Sequence, residues 1–184
     1  MKSLTSELFE YKLRNAGILY NDRALYTTQV QNADGTTATR YGYIDSHGKV
    51  SIQPIYTQAS NFSEGLARVN VGKTAGYINT KGELVIPYRY SSTSDFSEGM
   101  AAVMLAFGGK YGYIDTTGKL RITPRYDHAD PFSNGAAVVY VNGKYGFIDK
   151  NGNYLLTPQF SMAQPFSEGL AFGHGSGGST HSGG

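Results

Sequence analysis

Hydrophobic and polar positions alternate along most of this chain in short bursts, of which Lys49-Val-Ser-Ile-Gln-Pro54 and Leu66-Ala-Arg-Val-Asn-Val71 are representative. Alternation at a period of two puts one set of side chains on a buried face and the other in water. Each burst therefore predicts a half-buried β-strand. One stretch departs from this. Between residues 3 and 13, Leu4, Leu8 and Tyr11 fall on one helical face behind Ser3 or Thr5 as N-cap, which predicts a short N-terminal helix. Residues 1–23 are thus expected to form a helical cap over the first β unit, or a helix that docks a partner.

The bursts recur. Tyr41-Gly-Tyr-Ile-Asp45, Ala75-Gly-Tyr-Ile-Asn79, Tyr111-Gly-Tyr-Ile-Asp115 and Tyr145-Gly-Phe-Ile-Asp149 place Gly42, Gly76, Gly112 and Gly146 at spacings of 34, 36 and 34. Phe62, Phe96, Phe132 and Phe166, each opening a Phe-Ser-(Glu/Asn)-Gly run, show the same spacings. Pro54, Pro87, Pro124 and Pro158 follow the motif glycines by 11 or 12 residues. Three markers in phase over four copies define a repeat architecture.

Each copy reads as three short strands. Gly-Tyr-Ile opens the first, and Asp45-Ser-His-Gly48, with its equivalents, is a tight turn in which the Asp side chain bonds backbone two residues on. The second strand returns through the proline, which lacks a ladder donor and marks a strand end or an edge. A loop then ends in Phe-Ser-Glu-Gly, whose Phe is expected to plug the core, and the third strand follows. Val141-Asn-Gly-Lys144 is a hairpin signal leading into the next copy.

The array starts and stops in mid-repeat. Residues 24–40, with Asp34-Gly35 at the tip, predict a hairpin arm equal to half a repeat, and full repeats start near 41, 75, 111 and 145. The β array is expected to run to residue 172. Residues 173–184 are Gly, Ser, His and Thr only and predict a flexible tail.

The run Tyr-Gly-Tyr-Ile-Asp-x-x-Gly-Lys, then Ile-x-Pro-x-Tyr, then Phe-Ser-Glu-Gly-Leu-Ala-x-Val closely resembles the WG-repeat family of bacterial proteins, over roughly Tyr41 to Phe172. The family's tryptophan is replaced by Tyr41, Ala75, Tyr111 and Tyr145. Tyrosine keeps a large planar body with a polar tip. Ala75 cannot fill that volume, so the second unit is expected to be looser or repacked there. The resemblance implies an all-β tandem array of hairpin repeats used as interaction modules. It implies no catalytic residues. A bacterial cytoplasmic location is the default, with the cell surface or exterior open.

Composition and charge narrow the function classes. The chain of 184 residues has no cysteine, which excludes a disulfide framework and a thiolate metal site. Its formal charge of +2 gives no basic surplus for nucleic acid. No apolar run nears the ~20 residues of a membrane-spanning helix, and Glu7 and Glu10 stand where a signal peptide needs its apolar core. Charged residues make up 16 %, against about 25 % in an average domain, which leaves open strand edges with little charge to guard them.

Candidate chemistry is thin. His47 lies in a turn whose other copies hold Lys81, Thr117 and Asn151. Asp127-His-Ala-Asp130 offers three metal-type donors in one loop, without the convergent set that a metal needs. His174 and His181 sit on the tail. Phe107-Gly-Gly-Lys110 has Met104 where a phosphate loop needs glycine, and reads as a hairpin lengthened by two residues. Glu64, Glu98 and Glu168, with Asn134 in the third copy, are expected to cap their own turns, and Ser63, Ser97, Ser133 and Ser167 to form them. No catalytic, cofactor-binding or metal residue is assigned.

The expected function is a non-enzymatic scaffold that binds a protein through its repeated surface. The alternative is a self-assembling structural subunit, and a third reading is carbohydrate binding. The less regular tyrosines, Tyr20, Tyr26, Tyr88 and Tyr140, are the candidate contact residues. Burial is expected of Ile44, Ile78, Ile114, Ile148 and the four phenylalanines.

Overall fold

The computed structural model describes residues 18–162 and 174–175, and among these the chain is all β. The expected N-terminal helix and Phe166 lie outside the described residues. Four antiparallel sheets follow one another. The first holds β1 (Ala24–Gln31), β2 (Thr37–Ile44) and β3 (Val50–Tyr56). The second holds β4 (Gln58–Ala59), β5 (Leu66–Val71), β6 (Thr74–Asn79) and β7 (Leu84–Tyr90). The third repeats this with β8 (Ser92–Thr93), β9 (Met100–Met104), β10 (Tyr111–Asp115) and β11 (Leu120–Tyr126). The fourth has β12 (His128–Ala129), β13 (Ala136–Val141), β14 (Lys144–Asp149) and β15 (Tyr154–Met162). A short strand from the tail, β16 (His174–Gly175), lies beside β15.

The sheets are out of phase with the sequence repeat. A new sheet begins just after Tyr56, Tyr90 and Tyr126, because the strand that closes one copy pairs with the first strand of the next and joins its sheet. The hairpin arm at 24–40 shows the same thing, since β2 runs unbroken from Thr37 through Tyr41 to Ile44.

The glycine that recurs at 42, 76, 112 and 146 has a steric cause. The pairing shifts register on either side of Tyr43: Tyr41 faces Tyr56, Tyr43 faces Ile52, and Ile44 faces Val50. The proline strand thus bulges toward the glycine. A Cβ on Gly42 would lie 2.6 Å from the Ile52 carbonyl oxygen and 2.9 Å from the Pro54 nitrogen. The same crowding holds at Gly76, Gly112 and Gly146. The expected turns also form. Asp45 Oδ1 accepts from the backbone N–H of His47 at 2.9 Å and of Lys49 at 3.0 Å.

Alternation along the central strands sends neighbours to opposite faces and so to different seams. Tyr77 packs with Ile86, Tyr90, Phe96, Val103 and Ile114 between the second and third sheets. Its neighbour Ile78 packs with Tyr43, Ile52, Phe62 and Val69 between the first and second. Tyr113, Phe132 and Ile148 fill the seam between the third and fourth. Phe62, Phe96 and Phe132 are buried as expected, and each ring lies 4.8–4.9 Å from the tyrosine of the preceding sheet. Losing such a ring costs about 3–5 kcal/mol. Ile44 departs from expectation and is only half-buried, because among the described residues no sheet precedes the first to cover it.

Candidate interaction surface

The Phe-Ser-Glu-Gly runs build a ladder from sheet to sheet. Ser63 and Leu66 bracket a two-residue turn in which Glu64 and Gly65 both have positive φ, at 54° and 79°. This geometry turns the Glu side chain away from its own turn. The Glu64 carboxylate accepts from the Gly99 N–H of the next copy at 3.0 Å, and Glu98 does the same for Gly135 at 3.1 Å. The serines run the same way: Ser63 Oγ donates to the Phe96 carbonyl at 2.8 Å and Ser97 Oγ to that of Phe132 at 2.6 Å. The expected self-capping by these glutamates is therefore corrected, since their carboxylates join neighbouring copies.

The ladder extends upstream of any legible motif. Tyr20-Asn-Asp-Arg23 forms the same turn, with φ of 50° at Asn21 and 60° at Asp22, and Asn21 Oδ1 accepts from the Gly65 N–H at 3.1 Å. Sequence comparison misses it because no Phe, Ser, Glu or Gly survives there. The only signal is the Asn-Asp pair, two residue types that tolerate the left-handed region.

A second row faces outward. Val50, Leu84, Leu120 and Tyr154 each open the strand that follows the Asp turn, and each stands opposite the repeat isoleucine: Ile44, Ile78, Ile114 and Ile148. They are 47, 46, 46 and 42 % exposed. Val85, Leu155 and Leu156 widen the row on the second and fourth sheets. Strands β3, β7 and β11 are also the outer edges of their sheets, with unpaired backbone on one side. Each holds a proline at its bulge, which blunts the edge against further pairing. The low charge therefore leaves these edges less unguarded than composition suggests.

The four candidate tyrosines do not form one surface. Tyr20 is 43 % exposed in the upstream turn. Tyr26 lies opposite Gly42 in the first sheet. Tyr88 packs against the first seam, where burial pushes its hydroxyl above the ordinary phenol range. Tyr140 packs against Tyr145 with the rings tilted, their centres 4.8 Å apart. Tyr41 and Tyr111 are half-buried packing residues beside the first and third seams. The outward row escaped sequence reading because its members vary between valine, leucine and tyrosine, although their 34, 36, 34 spacing is the repeat's own.

The remaining polar candidates are occupied separately. His128 Nε2 meets Asp130 Oδ1 at 2.9 Å, whereas Asp127 binds the Lys110 ammonium and the Asn142 N–H. Among the described residues no helix is long and apolar enough to cross a membrane.

Comparison with known proteins agrees with the repeat. No curated protein matches the chain. A solved structure, virginiamycin B lyase from Staphylococcus aureus, aligns with a TM-score of 0.42 at 16 % identity. The match covers 76 % of this chain and 60 % of that one, a likeness too loose to carry an argument. The family model of the WG containing repeat matches residues 41–74, 76–110, 111–145 and 145–172, in the same phase as the Tyr-Gly steps. With four matches across most of its length, this chain belongs to the WG-repeat family.

Proposed function

We propose that the array is a non-catalytic scaffold that binds a protein partner along the row Val50, Leu84, Leu120 and Tyr154. The observation that carries this reading is one half-exposed apolar side chain per sheet at a single register, opposite a core isoleucine. Apolar side chains repeated at one register along a stack of units offer an extended binding face. Supporting the non-catalytic part, Glu64, Glu98, Ser63 and Ser97 are spent on the inter-sheet ladder, and the Asp127-to-Asp130 loop on local contacts. Nucleic acid is not proposed as a partner.

The test uses the absence of cysteine. Leu84→Cys and Leu120→Cys each give a single cross-linking handle in the row, and Gln29→Cys gives one on the first sheet away from it. The expected result is a defined cross-linked product with a second protein, in cells, from the row positions only. Equal labelling from Gln29→Cys overturns the reading. A product between two copies of purified chain supports the second reading, self-assembly. The observation favouring that one is the open stack, because no hydrophobic cluster among the described residues joins the first sheet to the fourth.

A further inference from the structure

The seams are not equivalent on the side of the hairpin tips. At the third seam the side chains at the tips meet one another. Lys110 binds Asp127, Asp127 also takes the Asn142 N–H, and the Tyr111 hydroxyl meets Ser92 Oγ at 2.8 Å with its ring 5.8 Å from that of His128. At the second seam three substitutions undo this: Ser91 stands where Asp127 stands, Thr74 where Lys110 stands, and Ala75 where Tyr111 stands.

The result is a hollow of about 710 Å³ lined by Thr57, Gln58, Asn70, Lys73, Ser91 and Phe107. That volume is within the ~300–1,000 Å³ range of small-molecule sites. Asn70 is the cross-strand partner of Ala75, and its Oδ1 is buried without a hydrogen-bond partner. Phe107 is 98 % exposed, on the tip of the loop lengthened by two residues. Thr57 and Ser91 hydroxyls donate to backbone carbonyls at 3.1 and 3.2 Å, which leaves their oxygens able to accept. No carboxylate lines the hollow.

We infer that this hollow binds a neutral saccharide. The Thr57 and Ser91 oxygens, with the Asn70 amide turned toward the ligand, accept from sugar hydroxyls. Gln58 and Lys73 donate to them, and the exposed Phe107 ring lies against the apolar face of a pyranose. A ligand rich in hydroxyl donors meets this set, whereas a simple anion uses Lys73 and leaves the acceptors and the ring unused. The hollow shares no lining residue with the outward apolar row.

The test is NMR titration of the Gln58 and Asn70 side-chain amides in the full chain with cellobiose, maltose and diacetylchitobiose, and in parallel with sodium sulfate. Saturable shifts are expected with at least one disaccharide. Phe107→Ala, whose exposed ring leaves the fold intact, is expected to weaken binding at least about tenfold, or 1.4 kcal/mol. Ser91→Asp, which supplies Lys73 with the partner that Lys110 has, is expected to weaken it as well. The inference is overturned if none of the three sugars gives saturable shifts, if sulfate alone does, or if Phe107→Ala binds as tightly as the parent.

Discussion

Tyrosine does two different jobs at the residue scale. Tyr43, Tyr77 and Tyr113 are buried, yet each hydroxyl reaches the next sheet's entry loop, donating to the carbonyls of Ser60, Ser94 and Asp130 at 2.6 Å. Burial holds all three hydroxyls well above the ordinary phenol range. Tyr113→Phe keeps the ring and removes this bond. The expected loss is about 0.5–1.5 kcal/mol in urea unfolding, and no loss is to be expected if the bond carries nothing. Asp115 shows how a turn aspartate is held ionised. The Thr117 hydroxyl, then Arg121 and the backbone N–H groups of Thr117 and Lys119, hold the Asp115 carboxyl well below the usual carboxylate range. A carboxyl depressed in the folded state stabilises above its unfolded pKa of about 3.9, and that contribution is lost as pH falls through the folded value. Asp115→Asn is expected to flatten the acid limb of a pH–melting profile, leaving the turn intact. Asn79 already performs this turn in the second copy, its Oδ1 accepting from Lys81 and Glu83 N–H groups at 3.0 Å.

Among the elements, the proline strand is the informative one. Its bulge lets it close against the Tyr-Gly strand, and the close approach leaves no room for a side chain at the glycine. In Gly112→Ala the new Cβ would stand 2.5 Å from the Ile122 carbonyl oxygen and 2.9 Å from the Pro124 nitrogen, both backbone atoms. Backbone cannot swing aside as a side chain can, so the expected loss is about 1–3 kcal/mol or more. A thermal melt checks it, and an unchanged midpoint contradicts the bulge. The second sheet shows how much variation the element tolerates. Counting back from the strand's last aromatic, its proline falls one place earlier, at Pro87, and Tyr88 takes the usual proline slot and packs on the first seam.

At the scale of the whole molecule, neighbouring sheets are coupled among the described residues through three hydrophobic seams and the Glu–Gly and Ser–carbonyl ladder. Stability in such an array is a sum of unit and interface contributions. Glu98→Ala removes the rung between the third and fourth sheets. It is expected to cost up to about 1 kcal/mol and to speed amide exchange over residues 136–149 more than over 66–79. Glu98→Gln keeps an acceptor oxygen and is expected to behave as the parent. Uniform acceleration across the chain contradicts neighbour-only coupling.

The sequence by itself determined the repeat, its turns and most of its core, because these are local. Alternation, an Asp or Asn two residues before a bonded N–H, and a recurring Phe each act through nearby chain. Only the tertiary structure decided where one sheet ends and the next begins, since strands from two sequence copies share a sheet. It alone showed that Glu64 and Glu98 bridge copies, because an inter-sheet bond joins residues some 35 apart in the chain. The same holds for the upstream Asn21 rung, for the outward row at Val50, Leu84, Leu120 and Tyr154, and for the hollow beside Asn70. Each depends on which side chains stacking brings together, and the spacing of residues along the chain does not say which of them meet.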